Sequence, residues 1–401
     1  MFMYWSNLCD VQINIRKKDI MQFNNVYIQH DLFGSLKELL ERHVMTDNLL
    51  LVSDANTAFA YVLYNLPVLV KKHVCLFALP KVTLKAAKDL GNIAKDYDAI
   101  IAVGSGSISD LAKYAAYHAG IPYVMLASAP SMNGYLSGNA SLYDNGIKQS
   151  FNAMPPRALF ADLGVLQNAP KEMIAAGVGD VLCRSSVQFD MLLSHHLTGS
   201  KYPSEIFAQM LGLEGKLLAK IDAGEDFIHE LMDCLLYGGV AMKEFGSSAP
   251  ASQSEHMLVH LLEMLDEEVA QQFYHGQLVG AASVMMLQMQ NQLLQQNILP
   301  SQLKPFAQCG LSPYFAPELL QKWNGEYQAK IATFNNVDWQ HVRNILQNCP
   351  RLSAEQMAHY LRKVGCEVDL SNMGFDQQQQ SIALYNAAFT RGRFTILDLI
   401  N

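Results

Sequence analysis

The sequence predicts an α/β domain with a parallel sheet over residues 1–165 and an all-α domain over residues 166–401. Three observations carry this prediction. Short apolar runs alternate with helix-like stretches through the first 165 residues. The texture changes after Pro170, where long amphipathic stretches follow one another. Apolar residues in that second part recur at spacings of three and four, with few β-branched runs. The apolar runs are Val26–Ile28, Leu49–Ser53, Val74–Leu79, Ala99–Val103 and Tyr123–Ala127. Each suits a buried strand and is too short for a helix. Leu32–Arg42 and Leu84–Tyr97 read as intervening helices, and that alternation implies a parallel sheet covered on both faces. The second part offers helices over Lys171–Leu197, Pro203–Leu218, Phe227–Lys243, Ser254–Leu265, Gly276–Gln296, Pro317–Ala332, Trp339–Leu346 and Ser353–Lys363. Gln377–Gln380 reads as a solvated helix face.

Composition narrows the function classes. Half of the 401 residues are hydrophobic, 16% are charged and the formal net charge is −8. An acidic chain without clustered Lys and Arg is not a general nucleic-acid binder. It remains open to a small phosphorylated ligand, which needs only one local pocket. No run of about 18 apolar residues suggests a membrane span, and Met1–Asp10 lacks the features of a secretory signal. Seven cysteines without a CxxC pair fit reduced thiols. The expected location is therefore cytoplasmic.

The run Ala99–Val103 ends in Gly104-Ser105-Gly106-Ser107-Ile108-Ser109-Asp110 and leads into a helix. Glycines between strand and helix let backbone N–H groups approach a phosphate, which the helix N-terminus favours. The alternative is a tight turn with no ligand. Ser109 stands where a GxGxxG motif has its third glycine. Tyr123–Ala127 ends in Ser128-Ala129-Pro130-Ser131-Met132-Asn133-Gly134-Tyr135-Leu136-Ser137, a polar loop or the second wall of a nucleotide cleft. Asp54, after Leu49–Ser53, is placed either to accept hydrogen bonds from a ribose or to cap the following helix.

Asp180 follows Ala175-Ala176-Gly177-Val178-Gly179, which permits close packing. His256 and His260 lie four apart, on one helix face, and His275 opens a further apolar helix. One carboxylate and two imidazoles meet the needs of a catalytic divalent-metal site with an open position. Hydrogen-bonded structural histidines are the alternative. His195 and His196 receive no role.

In order and spacing, several segments resemble sn-glycerol-1-phosphate dehydrogenases of the bacterial AraM type. These lie in the superfamily of dehydroquinate synthases and iron-containing alcohol dehydrogenases. The segments are Gly104–Lys113, Ala129–Ser137, Ala161–Leu163, Asn168–Asp180, Ser254–His260, His275–Gly280 and Arg391–Leu399. The resemblance implies a Rossmann-like dinucleotide-binding domain over 1–165 and a helical metal- and substrate-binding domain over 166–401. It implies NAD or NADP and one divalent metal, zinc or else nickel. It places the cofactor at Gly106, Ser107, Ile108, Ser109, Asp110, Ser128, Ser131 and Ser137, to which the reading of the strand ends adds Asp54 and Gly104. Asp180, His256 and His275 become the metal ligands; Asn133, Asp180 and His260 face substrate, with Asp180 and His260 catalytic. The implied reaction interconverts dihydroxyacetone phosphate and sn-glycerol 1-phosphate in a homodimer. A lyase or cyclase of the dehydroquinate synthase kind, another polyol dehydrogenase and an inactive nucleotide-binding relative are the alternatives. Two departures stand out. Asn133 replaces the family's Asp, and Ser247–Gln253 lacks the Arg and Gly that the family favours there. The phosphate-binding group is unassigned, with Lys113 and Lys148 as candidates.

Overall fold

The computed structural model describes residues 25–32, 35–44, 48–58, 70–76, 82–299, 303, 305, 306, 311 and 313–399. Met1–Asp10 lies outside them. A six-stranded, all-parallel sheet contains β1 (Val26–Gln29), β2 (Leu49–Asp54), β3 (Val70–Leu76), β4 (Ala99–Gly104), β5 (Tyr123–Ala127) and β8 (Ala158–Asp162). Their spatial order is β1-β8-β5-β4-β2-β3. Helices α1 (Leu36–His43), α2 (Leu84–Ala94) and α3 (Gly106–Ala119) intervene. Alternate residues of β2 and β4 enter different cores. Leu50, Val52, Ile100 and Ala102 face one side, while Leu49, Leu51, Ile101 and Val103 join Leu36, Leu39 and Leu40 of α1 on the other. Burial on both faces explains why these strands read as continuous apolar runs.

The sheet differs from the sequence reading in three places. The third strand is Val70–Leu76, not Val74–Leu79, and residues 77–79 lie outside the described set. Among the described residues it is an edge strand bonded only to β2, so it tolerates an exposed Lys72. Strand β8 was not foreseen, although all five of its residues are buried. An antiparallel hairpin, β6 (Asn139–Asp144) and β7 (Ile147–Asn152), was also missed. Its turn is Asn145-Gly146, both with positive φ, 49° and 79°. The hairpin packs on α2 and α3.

From Leu163 onward the described residues form helices and turns. They comprise α4 (Leu163–Gln167), α5 (Lys171–Leu182), α6 (Arg184–Thr198), α7 (Ser204–Ala223), α8 (Ile228–Phe245), α9 (Ser254–Leu265), α10 (Glu267–Ala270), α11 (His275–Gln295), α12 (Pro317–Ile331), α13 (Trp339–Gln347), α14 (Ala354–Lys363) and α15 (Gln377–Asn386). The stretch read as one helix over Lys171–Leu197 is two helices that meet at Cys183. Ile228, Met232, Leu236 and Val240 of α8 join the sheet-side core and bring the two parts together. Helix α11 packs against α5, α6, α9 and α14. Among the described residues no helix is long and apolar enough to cross a membrane.

Candidate active site

A cleft between the sheet and the helices is lined from both sides. Ser105, Gly106, Ser107, Ser131, Asn133 and Ser137 come from the sheet side; Asp180, His256, His260, Glu263, His275 and Arg391 come from the helical side. Local packing fixes both walls. A Cβ on Gly104 would sit 2.6 Å from Ile108, so only glycine lets strand β4 turn this tightly into α3. Ser105, the N-cap of α3, makes no side-chain capping bond. The first N–H groups of a 14-residue helix therefore face the cleft without a side-chain acceptor.

The other cofactor candidates divide by location. Ile108 and Ser109 are fully buried beneath the turn. Asp110 lines the cleft, but its carboxylate lies 3.4 Å from Lys113 Nζ and accepts the Ser141 N–H at 3.2 Å. Ser128 holds Gly104 O through its backbone N–H. Ser137 Oγ lies 3.0 Å from Lys113 Nζ and 2.9 Å from Gly134 O. Asp54 uses Oδ1 to accept from the N–H groups of Asn56 and Thr57 and from the Thr57 hydroxyl, as a turn-capping residue does.

Lys113 is corrected as a phosphate candidate. It is completely buried, and Nζ donates to Gly134 O, Ser137 Oγ and Asn139 O. These bonds and the Asp110 ion pair lock α3 to the loop and hairpin. Lys148 does reach the cleft, where Nζ pairs with Glu263 at 3.0 Å.

Asp180 is brought in by close helix contacts. A Cβ on Gly177 would lie 1.8 Å from Pro130 O, and one on Gly179 would lie 2.1 Å from Gly276 O. Helix α5 is thus pressed against the serine loop on one side and α11 on the other. The Asn133 N–H donates to Asp180 Oδ2 at 2.8 Å. Asp180 Oδ1 is buried without a hydrogen-bond partner and faces His256 Nε2 at 3.5 Å. The His256 and His275 ring centroids are 5.3 Å apart, and His260 lies 6.0 Å from His256 and 5.3 Å from His275.

The partners of the three imidazoles separate their roles. His256 Nδ1 meets Glu255 Oε1 at 2.9 Å, and His275 Nδ1 meets Glu263 Oε1 at 2.8 Å. A carboxylate only accepts, so each Nδ1 carries the hydrogen and each neutral ring offers its Nε2 lone pair. His260 is reversed: Arg391 Nη2 donates to its Nδ1 at 2.7 Å, so Nε2 carries the hydrogen. Burial, with Arg391 and Lys148 adding to it, pushes His260 well below the usual imidazole range and keeps it neutral. Burial would raise Glu263, but Lys148 and His275 outweigh it and hold the carboxyl down at about 2. Burial also lowers His275, whereas the Glu255 and Asp180 carboxylates overcome burial at His256 and raise it.

This donor set suits a divalent cation: an unsatisfied buried carboxylate oxygen and two imidazoles with free Nε2 positions. The tightest groups of possible ligand atoms, each within 4.8 Å, are different ones: Cys183, Glu255 and His256, and His260, Glu263 and His275. In the first group the buried thiol is raised well above its ordinary value by burial, which disfavours the thiolate a metal needs. In the second, Glu263 already serves His275 and Lys148. Glu255, Glu263 and Arg391 were missed as site residues. Glu263 had a sequence signal in lying three residues after His260 on one helix face, and Glu255 and Arg391 fall within segments that carried the resemblance, but none of the three was given a role.

Residues 27–170 match the iron-containing alcohol dehydrogenase family. Over 314 residues the chain is 30% identical to a glycerol-1-phosphate dehydrogenase [NAD(P)+] of Bacillus licheniformis, spanning 76% of this chain and 68% of that protein. It is 32% identical over 312 residues to the Bacillus subtilis protein of the same name, spanning 76% and 70%. In fold it resembles an iron-containing alcohol dehydrogenase from Corynebacterium glutamicum, with a TM-score of 0.58, 16% identity and coverage of 93% and 90%.

Proposed function

The chain belongs to the glycerol-1-phosphate dehydrogenase family, and from that premise we propose that it reduces dihydroxyacetone phosphate reversibly to sn-glycerol 1-phosphate with NADH or NADPH. The observation that carries the reading is the unpartnered Asp180 Oδ1 opposite His256 Nε2, in a cleft whose far wall is the N-terminus of α3. Asp180, His256 and His275 would hold one divalent cation, with zinc favoured. With both groups bound, the cation's chemistry is polarisation of the ketone, and the nicotinamide's is hydride donation.

The chain's own residues supply position and hydrogen bonds. Open N–H groups at the start of α3 orient the cofactor pyrophosphate, flanked by Ser105 and Ser107. Asn133 fixes Asp180 through its backbone N–H and lines the cleft. His260 donates from Nε2 to a substrate oxygen and guides the proton that balances the reduction, one proton and one hydride per ketone. The working unit in this proposal is a cytoplasmic homodimer. The test is NADH absorbance in metal-loaded protein supplied with dihydroxyacetone phosphate. Oxidation of NADH in step with ketone loss supports reduction; conversion of substrate without net NADH loss supports a lyase or cyclase instead.

A further inference from the structure

Arg391 lines the cleft from the segment that follows α15. Among the described residues its only hydrogen bond is the one from Nη2 to His260 Nδ1, at 2.7 Å. Among the described residues no carboxylate lies within 4 Å of its guanidinium, and Glu263 and Glu326 act on it from farther away. The other cations around the cleft are committed. Lys148 is paired with Glu263, and Lys113 is sealed beneath the hairpin. Arg393, two residues on, turns away to Ser252 O and Ser248 Oγ. Arg391 is thus the cation lining the cleft whose charge is left without a close counter-ion. A guanidinium has five donors in a planar fork, and one bond to an imidazole leaves a pair free for two oxygens of a phosphate.

Its place relative to the histidines fits a small ketone phosphate. Arg391 holds the His260 ring at Nδ1 in the lining of the cleft, and Nε2, the atom that donates to the substrate oxygen in the reading above, lies across the ring from it. One imidazole width therefore separates anion recognition from the reacting group, the scale of a three-carbon phosphate monoester. We propose that Arg391 is the specificity-determining residue of this site, binding the substrate's phosphate while it sets the tautomer of His260. The proposal rests on the dehydrogenase reading above for the identity of the ketone.

Two measurements separate the proposal from that reading. The first is calorimetry of inorganic phosphate binding to the metal-loaded protein with saturating NADH, which occupies the cofactor's own phosphate positions. Arg391→Gln should weaken phosphate at least tenfold and Arg391→Lys by less, with metal content kept near one per chain in both. Equal phosphate affinity in wild type and Arg391→Gln overturns the proposal, whatever the protein turns over. The second is the ratio of kcat/KM for dihydroxyacetone phosphate to that for unphosphorylated dihydroxyacetone. Arg391→Gln should lower this ratio at least tenfold. An equal loss on both ketones would mean that Arg391 serves only to orient His260, and the specificity role would be wrong. Arg391-dependent phosphate binding without turnover of either ketone would sink the dehydrogenase reading and leave the anion site standing.

Discussion

Asp180 Oδ1 and His256 Nε2 face each other at 3.5 Å inside the protein, too far apart for a strong hydrogen bond and with no other partner for the carboxylate oxygen. A buried carboxylate oxygen in this state is costly unless a cation completes it. The arrangement yields a metal prediction that distinguishes neighbouring histidines. His256→Ala and His275→Ala should each lower bound metal from about one per chain towards none and abolish turnover. His260→Ala should keep the metal, because its Nε2 carries a hydrogen, and should lose turnover only. Glu263→Gln should weaken metal about 10- to 100-fold by loosening His275. Elemental analysis with kinetics reads all four; metal loss in His260→Ala with retention in His256→Ala reverses the assignment.

The close helix contacts give a second prediction. Gly179→Ala places a methyl group 2.1 Å from Gly276 O, which is backbone and cannot swing away. Helices α5 and α11 must separate, at a cost of about 2–3 kcal/mol. They carry Asp180 and His275, so metal affinity should fall along with stability. Gly325→Ala, on an open surface of α12, is the control and should be near neutral or slightly stabilising. Denaturant unfolding that shows equal stability for Gly179→Ala and wild type would disprove the packing account.

How much of this was legible in the sequence follows from the range of each interaction. Strand runs and amphipathic helices announce themselves locally, which is why β5 and α9 were placed at the observed ends. The break at Cys183 has neither proline nor glycine, so the helical period runs through it. The β6–β7 hairpin had its signal in Asn145-Gly146, but its strands mix polar and apolar residues too evenly to stand out. In the site, aspartate and histidines of suitable type and spacing could be picked out, while their orienters could not. Arg391 and His260 are 131 residues apart, and nothing local in either segment points to the other. Lys113 shows the converse: a lysine beside a glycine turn suggests phosphate, and only tertiary packing reveals that its donors are spent.

Asn133 gives a third prediction. Its backbone is tied to Asp180, and its Cβ lies where a methyl on Gly238 would touch it, so the position is fixed. Asn133→Asp adds a charged acceptor for substrate hydroxyls, and charge-assisted bonds are roughly twice as strong as neutral ones. We expect kcat/KM to rise about tenfold, equivalent to about 1.4 kcal/mol, with NADH affinity changed less than twofold. Unchanged kinetics would show that the departure from the family residue is silent.

Asp190, which accepts the Ser254 N–H two residues before His256, gives a pH prediction. It is buried, and burial lifts its carboxyl from 3.8 to about 7, against the N–H groups of Ser254 and Ile396 that favour the charged form. A raised folded value means that the native state holds a proton the unfolded chain has released. This contribution to stability is complete below pH 3.8 and is lost as pH rises through about 7. Relative to Asp190→Asn, wild type should therefore lose a few kcal/mol between pH 4 and pH 8, on the order of 1 kcal/mol per pH unit. Thermal unfolding of the pair across that range cancels titrations common to both. A difference independent of pH, or one growing in favour of wild type as pH rises, would contradict the assignment.

The central claim is reduction of a phosphorylated ketone at the Asp180–His256–His275 centre, and the configuration of the product tests it most directly. Metal-loaded protein would be incubated with dihydroxyacetone phosphate and NADH, and the glycerol phosphate formed would be resolved by chiral analysis. The account predicts sn-glycerol 1-phosphate, formed one-for-one with NADH oxidised and absent from His256→Ala. The 3-phosphate enantiomer, or no glycerol phosphate from fully metal-loaded wild type, would contradict it.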